Sequence, residues 1–401
     1  MERDQGTGSG FELRDLPDWV KSLGLPDEAA WAIDRYWKPE WDRLKDDLPL
    51  LPVHPERAAV SAPGAAGQEI LFEAIDEPEP GAKWQASFEL MWPAYREWYL
   101  GEGDAARPDL ETCREMLRRH MPELFPTYER LVELAGGDEL AARCLSLYRP
   151  PHILVGCSQG AWTRGGTDGG PVLARNYDYP ASRIEGVVYR TQWGKRRVIG
   201  MRDCLWGLLD GINDAGLAIS LTFGGRRALG DGFSVPLVVR YLLEVCDTVD
   251  EAREKLATIP IHAAQNLTLL DSSGAFVTAY LGPDREPLFI DRPAATNHQD
   301  QDEWPDYARA VRSFERESCV LGLLDDAKST PEGFVEAFLE PPLYKGDNSG
   351  GFATLYTAAY FPAEGRVEYR WPDFTLEQSF EDFEEGAHTV AIGAAKSDDW
   401  Q

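Results

Sequence analysis

The sequence is short of the features that mark membrane and secreted proteins. No run of 18 apolar residues occurs in its 401 residues, so no stretch has the length and polarity of a membrane-spanning helix. The stretch MERDQGTGSGFELRD at the N-terminus also lacks the apolar core of a secretory signal. We therefore expect a cytoplasmic protein.

Positive charge is scarce as well. The chain has 40 Lys and Arg against 68 Asp and Glu, a net charge of -28. Nucleic acid and anionic membranes attract basic surfaces, so this balance argues against both. The sequence predicts neither a nucleic acid nor a membrane as partner.

Cysteine and histidine are few, with six of each, and none is spaced as a metal ligand. There is no C-x-x-C pair, and no H-x-x-x-H or H-E-x-x-H pattern. We therefore predict no metal site, no disulfide framework and no cofactor. Five of the cysteines are expected to be small buried hydrophobic residues. The sixth, Cys157, has an unusual setting.

The spacing of apolar residues changes near residue 150. Up to residue 150, apolar residues recur at helical spacing, interrupted by a mostly irregular stretch over 50–83 with one short element expected at 69–74. Beyond it, short β-type runs are joined by tight turns such as 271–274 and 363–365, which indicates antiparallel sheets. The predicted helices cover 26–46, 84–100, 110–120, 128–148 with a break near 136, 234–247, 249–257, 304–317 and 331–338. The predicted strands cover 187–193, 197–202, 217–223, 266–271, 275–281, 352–361, 366–371 and 389–392.

The chemistry is expected around Cys157. The run 152–155 predicts a strand that delivers the cysteine into a bend, and Gly156 would permit a strained backbone angle just before it. A glycine-rich connection over 163–170 then leads to a second strand from 171 to 175. This hairpin would bring Arg175, Asn176 and Asp178 back towards the cysteine.

Two nucleophiles fit this stretch. If the chain is cut between Gly156 and Cys157, the freed α-amino group, with a pKa near 7.7, can act as base for a thiol with a pKa near 8.5. Alternatively, GCSQG fits the G-x-S-x-G elbow of α/β-hydrolases, with Ser158 as nucleophile and His298 or His388 as base. That elbow requires a helix after the serine and a mostly parallel sheet, and neither is predicted here.

Several short stretches resemble one known family. These are Gly156-Cys157 together with ARNYDY at 174–179, INDAGLAISL at 212–221, ATNH at 295–298 and, more weakly, ARAVR at 308–312 and TLYTAAYFP at 354–362. In this order they resemble the cysteine N-terminal nucleophile (Ntn) hydrolases, in the branch of isopenicillin N acyltransferase, with choloylglycine hydrolase and penicillin V acylase more distant.

The resemblance implies an α+β fold and an amide substrate. We expect a four-layer αββα sandwich of two antiparallel sheets over 151–401, cleaved before Cys157 and preceded by a mainly helical segment over 1–150. The implied activity is hydrolysis or transfer of the acyl group of a small-molecule amide through a thioester. An acyl-CoA or an amine acceptor could be a further partner, and the cleaved chains would stay associated.

The resemblance also assigns roles residue by residue. Cys157 is the nucleophile, Arg175 favours its thiolate, and Asp178 orients the α-amino group. Asn297 would donate to the oxyanion, and Arg312 matches a further family arginine, with Arg309 a competing choice. The substrate would contact the loop at Thr222 and Phe223. The remaining alternative is an uncleaved family member without catalytic activity.

Overall fold

The computed structural model describes residues 51–54, 68–153, 156–164, 170–300, 303–346 and 352–392, in which groups of consecutive strands are separated by groups of helices. The predicted helix over 26–46 and most of the connection over 163–170 lie outside these residues. The strands are β1 (Gln68–Glu77), β2 (Gly156–Trp162), β3 (Val172–Tyr179), β4 (Val187–Thr191), β5 (Val198–Asp203), β6 (Gly207–Asn213), β7 (Leu217–Phe223), β8 (Gln265–Asp271), β9 (Phe276–Leu281), β10 (Leu288–Ile290), β11 (Ala294–Ala295), β12 (Ala353–Phe361), β13 (Arg366–Trp371), β14 (Phe374–Ser379) and β15 (Gly386–Ile392). The helices are α1 (Ala82–Tyr99), α2 (Leu110–His120), α3 (Phe125–Leu134), α4 (Glu139–Leu145), α5 (Val235–Val245), α6 (Val249–Leu256), α7 (Pro305–Ala310), α8 (Ser313–Asp325) and α9 (Pro331–Ala337).

The strands form two sheets that lie face to face. The larger has the order β10-β9-β8-β7-β6-β5-β4-β1-β15 and the smaller the order β11-β2-β3-β12-β13-β14. Strand β2 of the smaller sheet packs on β7 and β8 of the larger. Helix α5 covers β6 and β7 on one outer side, and α8 covers β2 and β11 on the other. The predicted αββα sandwich is confirmed.

Nearly all strand pairs are antiparallel because tight turns join consecutive strands. Strands β6 and β7 are connected at Gly216, and β12 and β13 at Gly365, with φ angles of 85° and 64°. Both angles lie in the left-handed region that glycine adopts without strain. Parallel pairing occurs between β1 and β4.

The segment before residue 150 contributes to the larger sheet. Strand β1, expected only as a short element, pairs along its length with β15 and β4. Four helices follow it, and the first buries the aromatic residues Trp84, Phe88 and Tyr95, as expected of a core helix. Residues on both sides of position 150 therefore share one sheet.

Two predicted elements differ from the structure. The predicted helix over 304–317 is divided into α7 and α8, because Arg312 between them has a left-handed φ of 52°. The strand predicted over 152–155 begins instead at Gly156, and positions 154 and 155 lie outside the described residues. Within the described ranges, no helix combines the length and apolar character needed to cross a membrane.

Candidate active site

Cys157 is the second residue of β2 and is fully buried. Because side chains alternate along a strand, Cys157 and Gln159 face the space between the sheets and Ser158 faces the helices. The Gln159 amide accordingly donates to Thr268 Oγ1 of the opposite sheet at 2.8 Å. Ser158 Oγ instead accepts from Arg316 of α8 at 2.6 Å. The thiol thus lies between the two sheets.

The structural role of Gly156 differs from the predicted one. It is part of β2, pairs with Asp178 of β3, and does not have a positive φ. A Cβ atom on Gly156 would lie 3.1 Å from Cβ of Asp178 and 3.3 Å from its carbonyl oxygen. Glycine is therefore favoured here by the close approach of Asp178 and not by a strained backbone angle.

Arg175 of β3 lies beside the thiol. Its Nη2 atom is 3.3 Å from Cys157 Sγ, and its Nη1 donates to Tyr356 Oη at 2.7 Å and to the Asp210 carboxylate. Burial raises the pKa of the Cys157 thiol, and the Arg175 cation acts in the opposite direction. Asp210, on β6 of the opposite sheet, therefore holds the guanidinium that faces the sulfur.

Sequence reasoning missed Asp210, although a signal was present. Asp210 is the one acidic residue in the otherwise apolar or small run GLLDGIN, and it is fully buried. A buried carboxylate requires a charged or hydrogen-bonding partner. Asp210 has these in Arg175, Tyr356 and Tyr360.

Asp178 faces the other side of the smaller sheet, towards the helices. Its Oδ1 accepts from Thr354 Oγ1 at 2.8 Å, whereas its buried Oδ2 has no hydrogen-bond partner among the described residues. Two cations approach Oδ2 without hydrogen bonding to it: Arg316 Nη1 at 3.7 Å and Lys345 Nζ at 3.8 Å. This open acceptor lies across from Gly156, next to the peptide bond that precedes the cysteine.

Asn297 follows β11 and reaches the backbone of the cysteine. Its Oδ1 accepts from the Cys157 amide at 3.0 Å and from Arg316 Nη2 at 2.7 Å. These two donors fix the orientation of the carboxamide, so its Nδ2 is the donor end and lies 3.4 Å from the Phe223 carbonyl oxygen. The structure thus brings together Cys157, Arg175, Asp178 and Asn297.

Arg316 of α8 contacts both the cysteine and Asn297. The Arg316 guanidinium is fully buried and donates to the Cys157 carbonyl oxygen at 2.5 Å as well as to Asn297 and Ser158. The guanidinium of Arg312, the residue before α8, donates to Glu315 in the first turn of that helix. Sequence reasoning missed Arg316 because it lay inside a predicted helix with several arginines and no local signal separated them. Arg309, the competing choice, donates to Asp306.

Thr222 and Phe223 end β7 at the edge of the site. Thr222 Oγ1 donates at 2.7 Å to the carbonyl oxygen of Thr296, which precedes Asn297. The Phe223 ring packs against Tyr307 and His152, with ring centroids 5.3 and 5.8 Å away. Thr222 therefore positions the Asn297 segment, and Phe223 packs between the His152 and Tyr307 rings.

The structure does not support the serine elbow. Ser158 lies within a strand, and another strand follows it where the elbow needs a helix. Of the two proposed bases, His298 Nδ1 lies 2.8 Å from Ser313 Oγ and its Nε2 3.3 Å from Glu317. His388 belongs to β15, at the edge of the larger sheet, and packs against Phe374.

No metal-binding cluster is evident in the part of the chain that the structure describes. No three His, Cys, Asp or Glu side chains there are grouped so that they could hold an ion. All six cysteines are free thiols, and only Cys319 is partly exposed.

The αββα sandwich is the architecture that the resemblance to the Ntn hydrolases implied. The chain belongs to the acyl-coenzyme A:6-aminopenicillanic acid acyl-transferase family, whose model matches residues 163–375, more than half of the chain. The match begins after Cys157 and includes Arg175, Asp178, Asn297 and Arg316. Membership supports acyl hydrolysis or acyl transfer at an amide bond.

Three solved structures show a distant likeness. A mutant of conjugated bile acid hydrolase from Clostridium perfringens has 12% identity and a TM-score of 0.42, over 58% of this chain and 96% of its own. Penicillin V acylase from Agrobacterium tumefaciens has 14% identity and a TM-score of 0.41, over 56% and 86%. A Caenorhabditis elegans ortholog of N-acylethanolamine-hydrolyzing acid amidase has 14% and 0.37, over 52% and 93%. No curated protein sequence matches the chain.

Proposed function

We propose that the chain cleaves itself between Gly156 and Cys157 and then hydrolyses or transfers the acyl group of a small-molecule amide through a thioester on Cys157. The observation that carries the proposal is the setting of this peptide bond. The sulfur lies 3.3 Å from Arg175 on one side, and the open Oδ2 of Asp178 lies on the other.

Self-cleavage would use the same groups as the later reaction. The thiolate attacks the carbonyl carbon of Gly156, the C–N bond breaks, and the proton from the thiol goes to the Cys157 nitrogen. Water then hydrolyses the thioester, which leaves a carboxylate on Gly156 and a free α-amino group on Cys157. That amino group would lie beside Asp178 Oδ2, an acceptor to which no described residue donates a hydrogen bond.

Turnover follows from this arrangement. The free α-amino group takes the thiol proton, Sγ attacks the acyl carbon of the substrate, and the Asn297 amide group donates to the oxyanion. A donor of this kind is worth about 10²–10³ in kcat. The leaving amine takes the proton from the α-ammonium group, and a thioester remains on Cys157.

Hydrolysis and acyl transfer share every step up to this thioester. Attack by water gives a carboxylic acid, and attack by an amine gives a new amide. The family is named for an acyl-coenzyme A donor and an amine acceptor, so both are proposed as partners besides the amide substrate.

The two fragments would remain associated, because residues before the cleavage site make buried contacts with residues after it. Strand β1 lies within the larger sheet between β15 and β4. The Trp84 indole donates to the Leu205 carbonyl oxygen at 2.9 Å, and Tyr95 Oη lies 2.5 Å from the Glu185 carboxylate. Both hydrogen bonds are buried, and breaking them would expose the core.

The test is the intact mass of the purified protein under denaturing conditions, with N-terminal sequencing. Two fragments, one starting Cys-Ser-Gln-Gly, are expected for the unaltered chain. Cys157→Ala should give one full-length chain, and the matched control Cys319→Ala should cleave normally. A single chain from the unaltered sequence, or cleavage of the Cys157→Ala variant, would contradict the proposal. Labelling of Ser158 by a serine-directed phosphonate would instead support the serine-hydrolase mechanism with Ser158 as nucleophile.

A further inference from the structure

Lys345 is a charged residue at the site that the acyl-transfer mechanism does not use. Its ammonium nitrogen lies 3.8 Å from Asp178 Oδ2, and its side chain is only 19% exposed. Lysine is seldom buried unless it is paired or its charge is altered. A lysine placed against this carboxylate therefore requires an explanation.

The backbone of Lys345 is tied to the same threonine that holds Asp178. Thr354 Oγ1 accepts from the Lys345 amide at 2.9 Å and donates to Asp178 Oδ1 at 2.8 Å. The Thr354 amide in turn donates to the Lys345 carbonyl oxygen at 3.0 Å. One hydroxyl thus joins the lysine to the carboxylate, so the position of Lys345 is built into the site.

The charges around Lys345 come from three neighbouring elements. Asp178 faces it from β3, Arg316 and Arg312 approach from α8 and the residue before it, and the Cys157 thiol on β2 acts on it from the opposite face of the smaller sheet. Burial lowers the pKa of Lys345 to about 8, while Asp178 acts in the opposite direction and the two arginines add to the lowering. Lys345 therefore changes its charge close to the pH range in which a thiol and an α-amino group do so.

We propose that Lys345 is a positioning residue that, through Asp178, sets the pH range in which the thiol and the freed α-amino group of Cys157 exchange their proton. The role in the cleaved enzyme rests on the proposed function. A cation at this place favours the thiolate and disfavours the α-ammonium form. Removing the positive charge must therefore raise the pKa of both groups.

The experiment measures the rate of Cys157 alkylation by iodoacetamide between pH 5 and 10, by mass spectrometry of the peptide that contains it. Lys345→Met and Lys345→Gln remove the charge, Lys345→Arg keeps it, and Lys328→Met removes the charge of an exposed lysine. We expect the pH at which alkylation reaches half of its maximal rate to rise by about one unit in both neutral variants. This midpoint shift corresponds to about tenfold slower alkylation at pH 7. The pH midpoint of alkylation should be unchanged in Lys345→Arg and Lys328→Met.

An unmoved midpoint in the neutral variants, or an equal rise in Lys345→Arg, would overturn the inference. Two neutral variants are included so that a folding defect in one of them does not decide the result. The intact mass of each sample tests self-cleavage separately. A raised midpoint in an uncleaved chain would support the role of Lys345 on the thiol while contradicting self-cleavage.

Discussion

Arg316 Nη2 lies 2.7 Å from Asn297 Oδ1, the same oxygen that accepts the amide hydrogen of Cys157. One buried arginine therefore orients the carboxamide whose other end we assign to the oxyanion. The same guanidinium donates to the carbonyl oxygen of Cys157. Helix α8, on the outer side of the smaller sheet, thus orients groups around Cys157 on β2.

Replacing Arg316 should affect catalysis much more than replacing Arg312. Arg316→Gln leaves the Asn297 carboxamide and the Cys157 carbonyl oxygen without their charged donor, so we expect a loss of about 10²–10³ in kcat. The matched variant Arg312→Gln removes an ion pair with Glu315 and should lose less than about tenfold. Steady-state kinetics of the two purified variants decide this. A larger loss for Arg312→Gln would restore the assignment made from the sequence.

Arg316 could not be predicted from the sequence, whereas the residues of the hairpin could. Cys157, Arg175 and Asp178 lie on one predicted hairpin, so strand alternation and short spacing bring them together. Arg316 comes from a helix 159 positions away, and its reach depends on the helix break at Arg312, which a smooth helical pattern does not reveal. Most strands after position 186 were predicted from alternation and turns. Strand β6 was missed because its run GLLDGIN is rich in small residues and carries a buried acid.

Asn297→Ala should slow turnover without altering the nucleophile. Its Nδ2 is the proposed oxyanion donor, so kcat should fall by about 10²–10³. The rate of Cys157 alkylation should change less than about threefold at pH 7, since Arg175 still faces the sulfur. Asn213→Ala is the control, because Asn213 is equally buried but binds the carbonyl oxygens of Leu243 and Cys246. That variant should lose thermal stability and keep its kcat, and a normal kcat for Asn297→Ala would exclude the assigned role.

Gly156→Ala should slow self-cleavage. The added Cβ would meet Asp178 at 3.1 Å, which is too close without a shift of β2 or β3, and the peptide bond to be cut would move with it. Gly322→Ala is the matched control, since a Cβ at that helical position meets nothing within 4 Å. We expect the control to cleave normally and to gain up to about 1 kcal/mol in stability. The rate is followed as fragments appear after cell-free synthesis, and equal rates would contradict the steric argument.

A second group of buried charges, away from the cysteine, gives a prediction about pH and stability. Glu185 and Asp203 lie side by side between α1 and the larger sheet, with Arg202 Nε 2.5 Å from Glu185 Oε2. Burial and the Glu185 charge raise the pKa of Asp203 well above its usual value. Burial also acts to raise the pKa of Glu185, but the Arg202 cation and the Tyr95 hydroxyl outweigh it and lower that pKa.

The two carboxyl groups should therefore respond to pH with opposite signs. The raised pKa of Asp203 means that its carboxyl contributes stability at pH values below its unfolded pKa and loses it as the pH rises towards the folded pKa. Asp203→Asn should thus melt at the same temperature as the unaltered protein near pH 4 and several degrees higher at pH 8, because each pKa unit corresponds to about 1.4 kcal/mol. Glu185→Gln should melt lower at pH 8, since the Arg202 cation loses its partner, and this deficit should shrink as the pH falls. Calorimetric melting curves from pH 4 to 8 measure both trends, and a destabilised Asp203→Asn at pH 8 would show that this carboxyl is ionised and stabilising in the folded protein.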